Sequence, residues 1–266
     1  MTRIGIIGGG NMGEALLKGL LEEKKVPRKN LWVGEADSGR RSFLRRRYGV
    51  RVVGDNRDIA RRSDLLILAV KPQEFSALFE QVGSLPKGKR VISIAAGIAT
   101  RRIEEAAGKV PVIRAMPNLA ARVGASITAL SKGRFATSSH LKEAQALFRS
   151  VGRVVVVPEK RLDAITALSG SGPAYVAYLA KLLMEAGRGI GLPRDLTRQL
   201  VLQTFAGSSR YLLEEGIDPD LFIRKVASKG GTTEAAFTVL KNGNLSRLFR
   251  RALQAAARRS KQLSRR

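Results

Sequence analysis

Ile4-Gly5-Ile6-Ile7-Gly8-Gly9-Gly10-Asn11-Met12-Gly13 is the stretch on which the fold turns: a short apolar run passes directly into glycines spaced G-x-G-x-x-G. That spacing is the one a dinucleotide cradle requires. Gly8 permits a tight turn, Gly10 lets the backbone approach a pyrophosphate, and Gly13 lets the next helix pack closely on its strand. Met12, Ala15, Leu16, Gly19 and Leu20 then recur at helical spacing. The predicted helix therefore opens at the glycines, where its unbonded N–H groups and its dipole attract an anion without a charged side chain.

Outward from this stretch, strands are predicted at 3–7, 30–34, 52–53, 65–68, 90–93, 110–114, 124–130 and 154–157. Helices are predicted between them at 12–23, 38–48, 55–62, 72–83, 100–107 and 139–150. Such alternation is the signature of βαβ units and a parallel, doubly wound α/β sheet of the Rossmann type. After Pro158 the strand pattern stops. Helical periodicity covers 160–188, broken at 169–173, and then 194–215, 218–227, 232–241 and 244–262. Two domains are expected, a dinucleotide-binding domain over 1–157 and an all-helical one over 158–266. The second is apolar on several helix faces, with Tyr175, Tyr178, Leu182 and Leu183 in one segment and Leu200, Leu202, Phe205 and Tyr211 in the next. One short bundle does not cover that much apolar surface, so a homodimer interface is predicted there.

The composition excludes several chemistries. The 266 residues include no cysteine and one histidine, so disulfides, thiolate metal sites, a thiol nucleophile and His-based metal or triad chemistry are not expected. His140, in the polar stretch Ser138-Ser139-His140-Leu141-Lys142, reads as a solvated residue near a helix N-cap. No apolar run approaches the roughly 20 residues of a membrane span, and the chain opens on its first strand, so a cytoplasmic protein without a signal segment is expected. The net charge is +26. Its basic residues are spread through every segment without interleaved aromatic platforms, which reads as a solvated basic surface, not a specific nucleic-acid site.

A carboxylate ending the second strand accepts hydrogen bonds from a free ribose 2′-hydroxyl, and Glu35 and Asp37 lie close to that position. They argue for NADH. Ser38, Arg40 and Arg41 follow at once in a turn that opens a helix, offering a 2′-phosphate both cations and backbone donors. Asn56 reaches the same adenosine end. NADPH is the expected cofactor, with NADH as the alternative.

Three more segments place small polar residues at turns: Ala69-Val70-Lys71-Pro72-Gln73 after a buried-type strand, Leu168-Ser169-Gly170-Ser171-Gly172-Pro173-Ala174-Tyr175 within a helical pattern, and Ala227-Ser228-Lys229-Gly230-Gly231-Thr232-Thr233-Glu234 entering a helix. The last has the composition of an anion nest suited to a carboxylate. With these motifs the chain resembles the pyrroline-5-carboxylate reductase family over essentially its whole length, adding Ala95-Ala96-Gly97 and Arg114-Ala115-Met116-Pro117-Asn118 to the segments already quoted. The resemblance implies reduction of the cyclic imine 1-pyrroline-5-carboxylate to L-proline by NAD(P)H. It also implies a helical C-terminal dimerisation domain, with higher homo-oligomers built from dimers. The coenzyme residues are then Gly8, Gly9, Gly10, Asn11, Met12, Gly13, Ser38, Arg40, Asn56, Ala69, Val70, Lys71, Pro72, Ala96 and Gly97. The family's substrate-carboxylate turn falls on Ser228, Gly230, Gly231, Thr232 and Thr233, with Ser171 and Thr233 as the catalytic hydroxyls at the ring nitrogen and Glu159 approaching the ring. Lys229 stands where the family usually has proline.

Imine reduction needs a hydride donor, a protonated or hydrogen-bonded nitrogen and fixed geometry, but no nucleophile or metal. The scarcity of His and Cys fits. Two other readings stay open at this point. One is an NADPH-dependent reductase of a 2-oxo or β-hydroxy acid, which wants a dedicated acid or base such as Lys181, flanked by Leu182, Leu183 and Met184. The other is a nucleotide-sensing or polyanion-binding protein without turnover.

Overall fold

The computed structural model describes residues 2–263. Eight strands form one sheet: β1 (Ile4–Ile7), β2 (Leu31–Gly34), β3 (Arg51–Val53), β4 (Leu65–Leu68), β5 (Arg90–Ser93), β6 (Val112–Met116), β7 (Ser126–Lys132) and β8 (Gly152–Val156). Their order is β3-β2-β1-β4-β5-β6-β7-β8. The connecting helices are α1 (Asn11–Glu22), α2 (Ser38–Tyr48), α3 (Asn56–Arg62), α4 (Phe75–Val82), α5 (Thr100–Ala107) and α6 (Ser138–Phe148).

Successive side chains of a strand point to opposite faces, and the core divides accordingly. Ile4, Ile6, Leu65, Ile67 and Ile92 pack with Leu16, Leu17 and Leu20 of α1, Leu44 of α2 and Phe148 of α6. Ile7, Leu66, Leu68 and Val91 pack with Ile59 of α3, Phe75 and Leu78 of α4 and Ile103 of α5. Helices on both faces explain why the strands read as unbroken apolar runs.

The sheet departs from the expected all-parallel pattern at one pair, since β6 and β7 are antiparallel. The link between them contains only a 3₁₀ turn, Leu119–Val123, capped by the Asn118 side chain and closed by Gly124 in the left-handed region. It is too short for the crossover that a parallel neighbour requires. The helix predicted from 139 begins one residue earlier, at Ser138. Thr137 caps α6, and His140 Nδ1 accepts its backbone N–H at 3.0 Å, leaving the imidazole half-buried.

After β8 a 3₁₀ turn (Glu159–Arg161) leads into α7 (Leu162–Ile165), α8 (Gly172–Gly189), α9 (Arg194–Glu215), α10 (Pro219–Val226), α11 (Thr232–Asn242) and α12 (Leu245–Leu263). The predicted break at 169–173 is instead a π-helical turn over Thr166–Gly170, closed by Ser171 N–H on Thr166 O at 2.9 Å. Packing divides the chain into two compact units, one running to Pro173 and resuming at Ala255, the other Ala174–Gln254. The sheet ends at Val156, but the first unit extends beyond it because α7 and the 3₁₀ turn pack on β7. In the second unit only Ala180 and Thr197 are buried. Among the described residues no helix is long and apolar enough to cross a membrane.

Candidate active site

The loops after β1 and β4 open side by side at the carboxyl edge of the sheet, where the strand order reverses and doubly wound folds bind ligands. Gly8 has φ +103°, and a Cβ there would lie 2.5 Å from Ala69 O. A Cβ on Gly13 would collide with Gly8 O, whereas one on Gly10 would meet nothing within 4 Å. Gly10 is also the N-cap of α1 and supplies no side-chain cap. The first turn of α1 therefore faces open space with its N–H groups, which fits a pyrophosphate. Gly8, Gly10, Asn56, Ala69, Val70 and Lys71 line a cleft of about 460 Å³ here, together with Gly34, Glu35, Glu74, Ala77 and Gln81. Gln81 accepts a 3.0 Å hydrogen bond from Asn56 Nδ2. Gly9, Asn11, Met12 and Gly13 belong to the same turn, Pro72 follows Lys71, and Ala96 and Gly97 follow β5. Asn11 Oδ1 accepts from Arg122 Nη1 at 3.0 Å.

At the end of β2 the Glu35 carboxylate accepts the N–H of Gly9 and that of Asp37, each at 3.0 Å. Ser38 opens α2, and Asp37 caps that helix by accepting Arg40 N–H. The arginines face protein acceptors. Arg40 donates to Gly9 O at 2.8 Å and to Glu14 Oε2 at 2.5 Å, and Arg41 donates to the carbonyls of Glu35 and Ala36. Glu14 is a buried carboxylate that the sequence did not single out. Burial alone raises its pKa, but the Tyr48 hydroxyl at 2.7 Å, Arg40 and Arg122 together hold it below the usual carboxylate value.

Ser171 begins where the π turn ends. Asn118 Nδ2 donates to Ser169 Oγ at 3.4 Å, and a Cβ on Gly170 would lie 2.5 Å from Met116 Cε. The turn thus joins the Arg114-to-Asn118 and Leu168-to-Tyr175 motifs at the carboxyl end of β6. Glu159 opens the 3₁₀ turn that follows β8. Its carboxylate accepts Thr100 N–H at 2.8 Å and Thr100 Oγ1 at 2.7 Å, and pairs with the buried Arg114 at 3.3 Å. Arg114 also lies 3.7 Å from Asp163, which accepts the Ser260 hydroxyl. The Glu159 carboxylate thus caps α5 and faces a buried cation.

In the second unit the Ser228-to-Thr233 turn carries Gly230 at φ +72°, with Gly231 N–H on Ser228 O at 3.0 Å. Gly231 is the N-cap of α11 and offers no side-chain cap, so Thr232 and Thr233 enter the helix beside unbonded N–H groups. Gly230 N–H donates to Glu234 Oε2 at 2.6 Å. Lys181 pairs with Glu185 at 3.7 Å on an exposed stretch of α8. Among the described residues no group of His, Cys, Asp or Glu could hold a metal ion.

Fold and cradle define a nicotinamide-dependent oxidoreductase. Residues 3–97 match the family described as NADP oxidoreductase, coenzyme F420-dependent, and residues 159–263 match pyrroline-5-carboxylate reductase dimerisation. The pyrroline-5-carboxylate reductase of Synechocystis sp. is 41% identical over 261 residues, 98% of each chain. The solved structure of a pyrroline-5-carboxylate reductase from Coxiella burnetii superposes with TM-score 0.90 at 36% identity, covering 99% of this chain and 98% of that one. A Plasmodium falciparum pyrroline carboxylate reductase, solved with NADP bound, gives TM-score 0.90 at 27% identity over 99% and 98%. The chain belongs to the pyrroline-5-carboxylate reductase family.

Proposed function

We propose that this chain reduces the cyclic imine of 1-pyrroline-5-carboxylate to L-proline with NADPH, NADH being the second coenzyme. The observation that carries the substrate half is the Ser228-to-Thr233 turn: a glycine-capped helix N-terminus that already receives one carboxylate, that of Glu234 on Gly230 N–H. A substrate carboxylate finds there the unbonded N–H groups that open α11 and the hydroxyls of Ser228, Thr232 and Thr233.

The glycine turn at Gly8, Gly9, Gly10 and Gly13 would hold the pyrophosphate, with Asn11, Met12 and Pro72 flanking it and Ser38, Arg40 and Asn56 toward the adenosine end. Bound NADPH supplies the hydride. The protein supplies the rest: the nest fixes the carboxylate, and the hydroxyls of Thr233 and Ser171 hydrogen-bond the ring nitrogen, which carries its proton into the product amine. Ala96 and Gly97 border the nicotinamide end. Glu159 serves by bracing Arg114 and α5. Because the second unit buries almost nothing by itself, a homodimer through the C-terminal domain completes it. In a reducing cytoplasm the absence of cysteine costs nothing.

The test is coenzyme oxidation with racemic pyrroline-5-carboxylate, against a panel of 2-oxo acids. Imine-dependent turnover is expected, together with a loss of about 10- to 100-fold in kcat/KM for Thr233→Val, which keeps the volume and removes the hydroxyl. Turnover of 2-oxo acids alone would overturn the reading.

A further inference from the structure

Glu35 and Arg40 compete for the same end of the coenzyme, and the structure shows which way each is turned. The Glu35 carboxylate faces the glycine turn, each oxygen accepting one backbone N–H at 3.0 Å and keeping a lone pair for another donor. It lines the cleft beside Gly34 and Asn56. Arg40, the cation best placed for a 2′-phosphate, is drawn to Gly9 O and to the buried Glu14 carboxylate. Its guanidinium also lies 5.0 Å above the Phe43 ring.

Resting on the reading of this cleft as the coenzyme site, we propose that Glu35 selects the coenzyme: it accepts the adenosine-ribose 2′-hydroxyl, so that NADH binds on a par with NADPH, and Glu14 reinforces the choice by holding Arg40. A 2′-phosphate would bring about two negative charges against a carboxylate that stays in place because two N–H groups hold it. The 2′-hydroxyl instead donates to it. Glu14 is a positioning residue. It touches no coenzyme, and it sets how much of the Arg40 charge a phosphate feels.

The experiment is a set of binding titrations without imine, followed by nicotinamide fluorescence for NADH and NADPH, with 5′-AMP and adenosine 2′,5′-bisphosphate as competitors. For the parent, Kd values for the two coenzymes within about tenfold are expected, and the same closeness for the two competitors. Glu35→Gln should weaken NADH and tighten NADPH, moving the ratio of Kd values at least tenfold toward NADPH. Glu14→Gln, which keeps the Tyr48 contact, should tighten NADPH several-fold and leave NADH unchanged, a split that simple loosening of the fold would not produce. A parent that binds NADPH more than a hundredfold tighter than NADH, or ratios that stay within twofold in both variants, would overturn the proposal. Because no imine is present, failed turnover in the activity assay leaves these constants readable.

Discussion

Lys229 is exposed in the carboxylate turn, between Ser228 and the left-handed Gly230. Proline, the residue the family resemblance expects there, pre-sets φ and lowers the entropy lost when the turn is ordered. Lysine keeps an N–H and adds a cation beside an anion site. Both differences act on substrate binding and neither on hydride transfer. Lys229→Pro is therefore expected to change KM for the imine by about two- to fivefold with kcat held within about twofold, read by steady-state kinetics. Equality of both constants with the parent's would refute it. The hydroxyls and glycines of this turn were legible in the sequence because small polar residues entering a helix have few other uses. Glu14 was not. A carboxylate one residue beyond Gly13 reads as solvent-facing, and only folding brings Tyr48, Arg40 and Arg122 around it.

At the scale of elements, short unbroken apolar runs alternating with helical patterns made the doubly wound sheet and most helix bounds readable. The pattern could not show that β7 turns back on β6, because strand direction depends on the length of the link and not on the strand itself. The sequence showed a break at 169–173 but not that it is a π turn over Thr166–Gly170, because one extra residue per turn hardly alters the periodicity on either side. Contacts between elements carry two predictions. Glu159→Gln removes the charge that caps α5 and faces Arg114, leaving a buried guanidinium poorly compensated. A loss of on the order of 2 kcal/mol in unfolding free energy is expected, with KM for the imine unchanged. A raised KM at unchanged stability would return Glu159 to the substrate. The second concerns β1 and β4, whose starts are tied by Arg3 and Asp64. The Arg3 side chain and its backbone N–H hold the Asp64 carboxyl down to about 2. A depressed carboxyl stabilises fully above its unfolded pKa of about 4, and the effect fades as pH falls from there toward the folded value. Discounted for partial exposure, the effect is on the order of 1 kcal/mol. Asp64→Asn should lower stability by that amount at pH 7, and most of the difference should be gone by about pH 2, where the folded carboxyl is half protonated, as measured by denaturant unfolding.

At the scale of the whole molecule, the two units differ in how they are held together. The first has the two-sided core of a doubly wound sheet, whereas the second, taken in one chain, buries only Ala180 and Thr197. Leu183 is 52% exposed and Leu200 49%, and both border a groove of about 370 Å³ on α8 and α9 with Phe205 and Leu212. Apolar side chains in that number at a single surface suit an interface between copies, and an isologous one would use the same patch on each chain. The net charge of +26 opposes association through repulsion, so salt should favour it by screening. A mass of at least twice the 28.9 kDa chain is expected from light scattering, with dissociation promoted at low ionic strength. Leu200→Glu is the decisive variant. In an isolated chain it sits on the surface and should shift stability by no more than about 0.5 kcal/mol. In a dimer it places a carboxylate without a partner in an apolar interface, so the mass should fall to that of one chain, and the melting temperature should drop and lose the dependence on protein concentration that a dimeric parent shows. If Leu200→Glu keeps the parent's mass and melting temperature, the α9 face is not the interface, and the second unit must be covered through another of its surfaces.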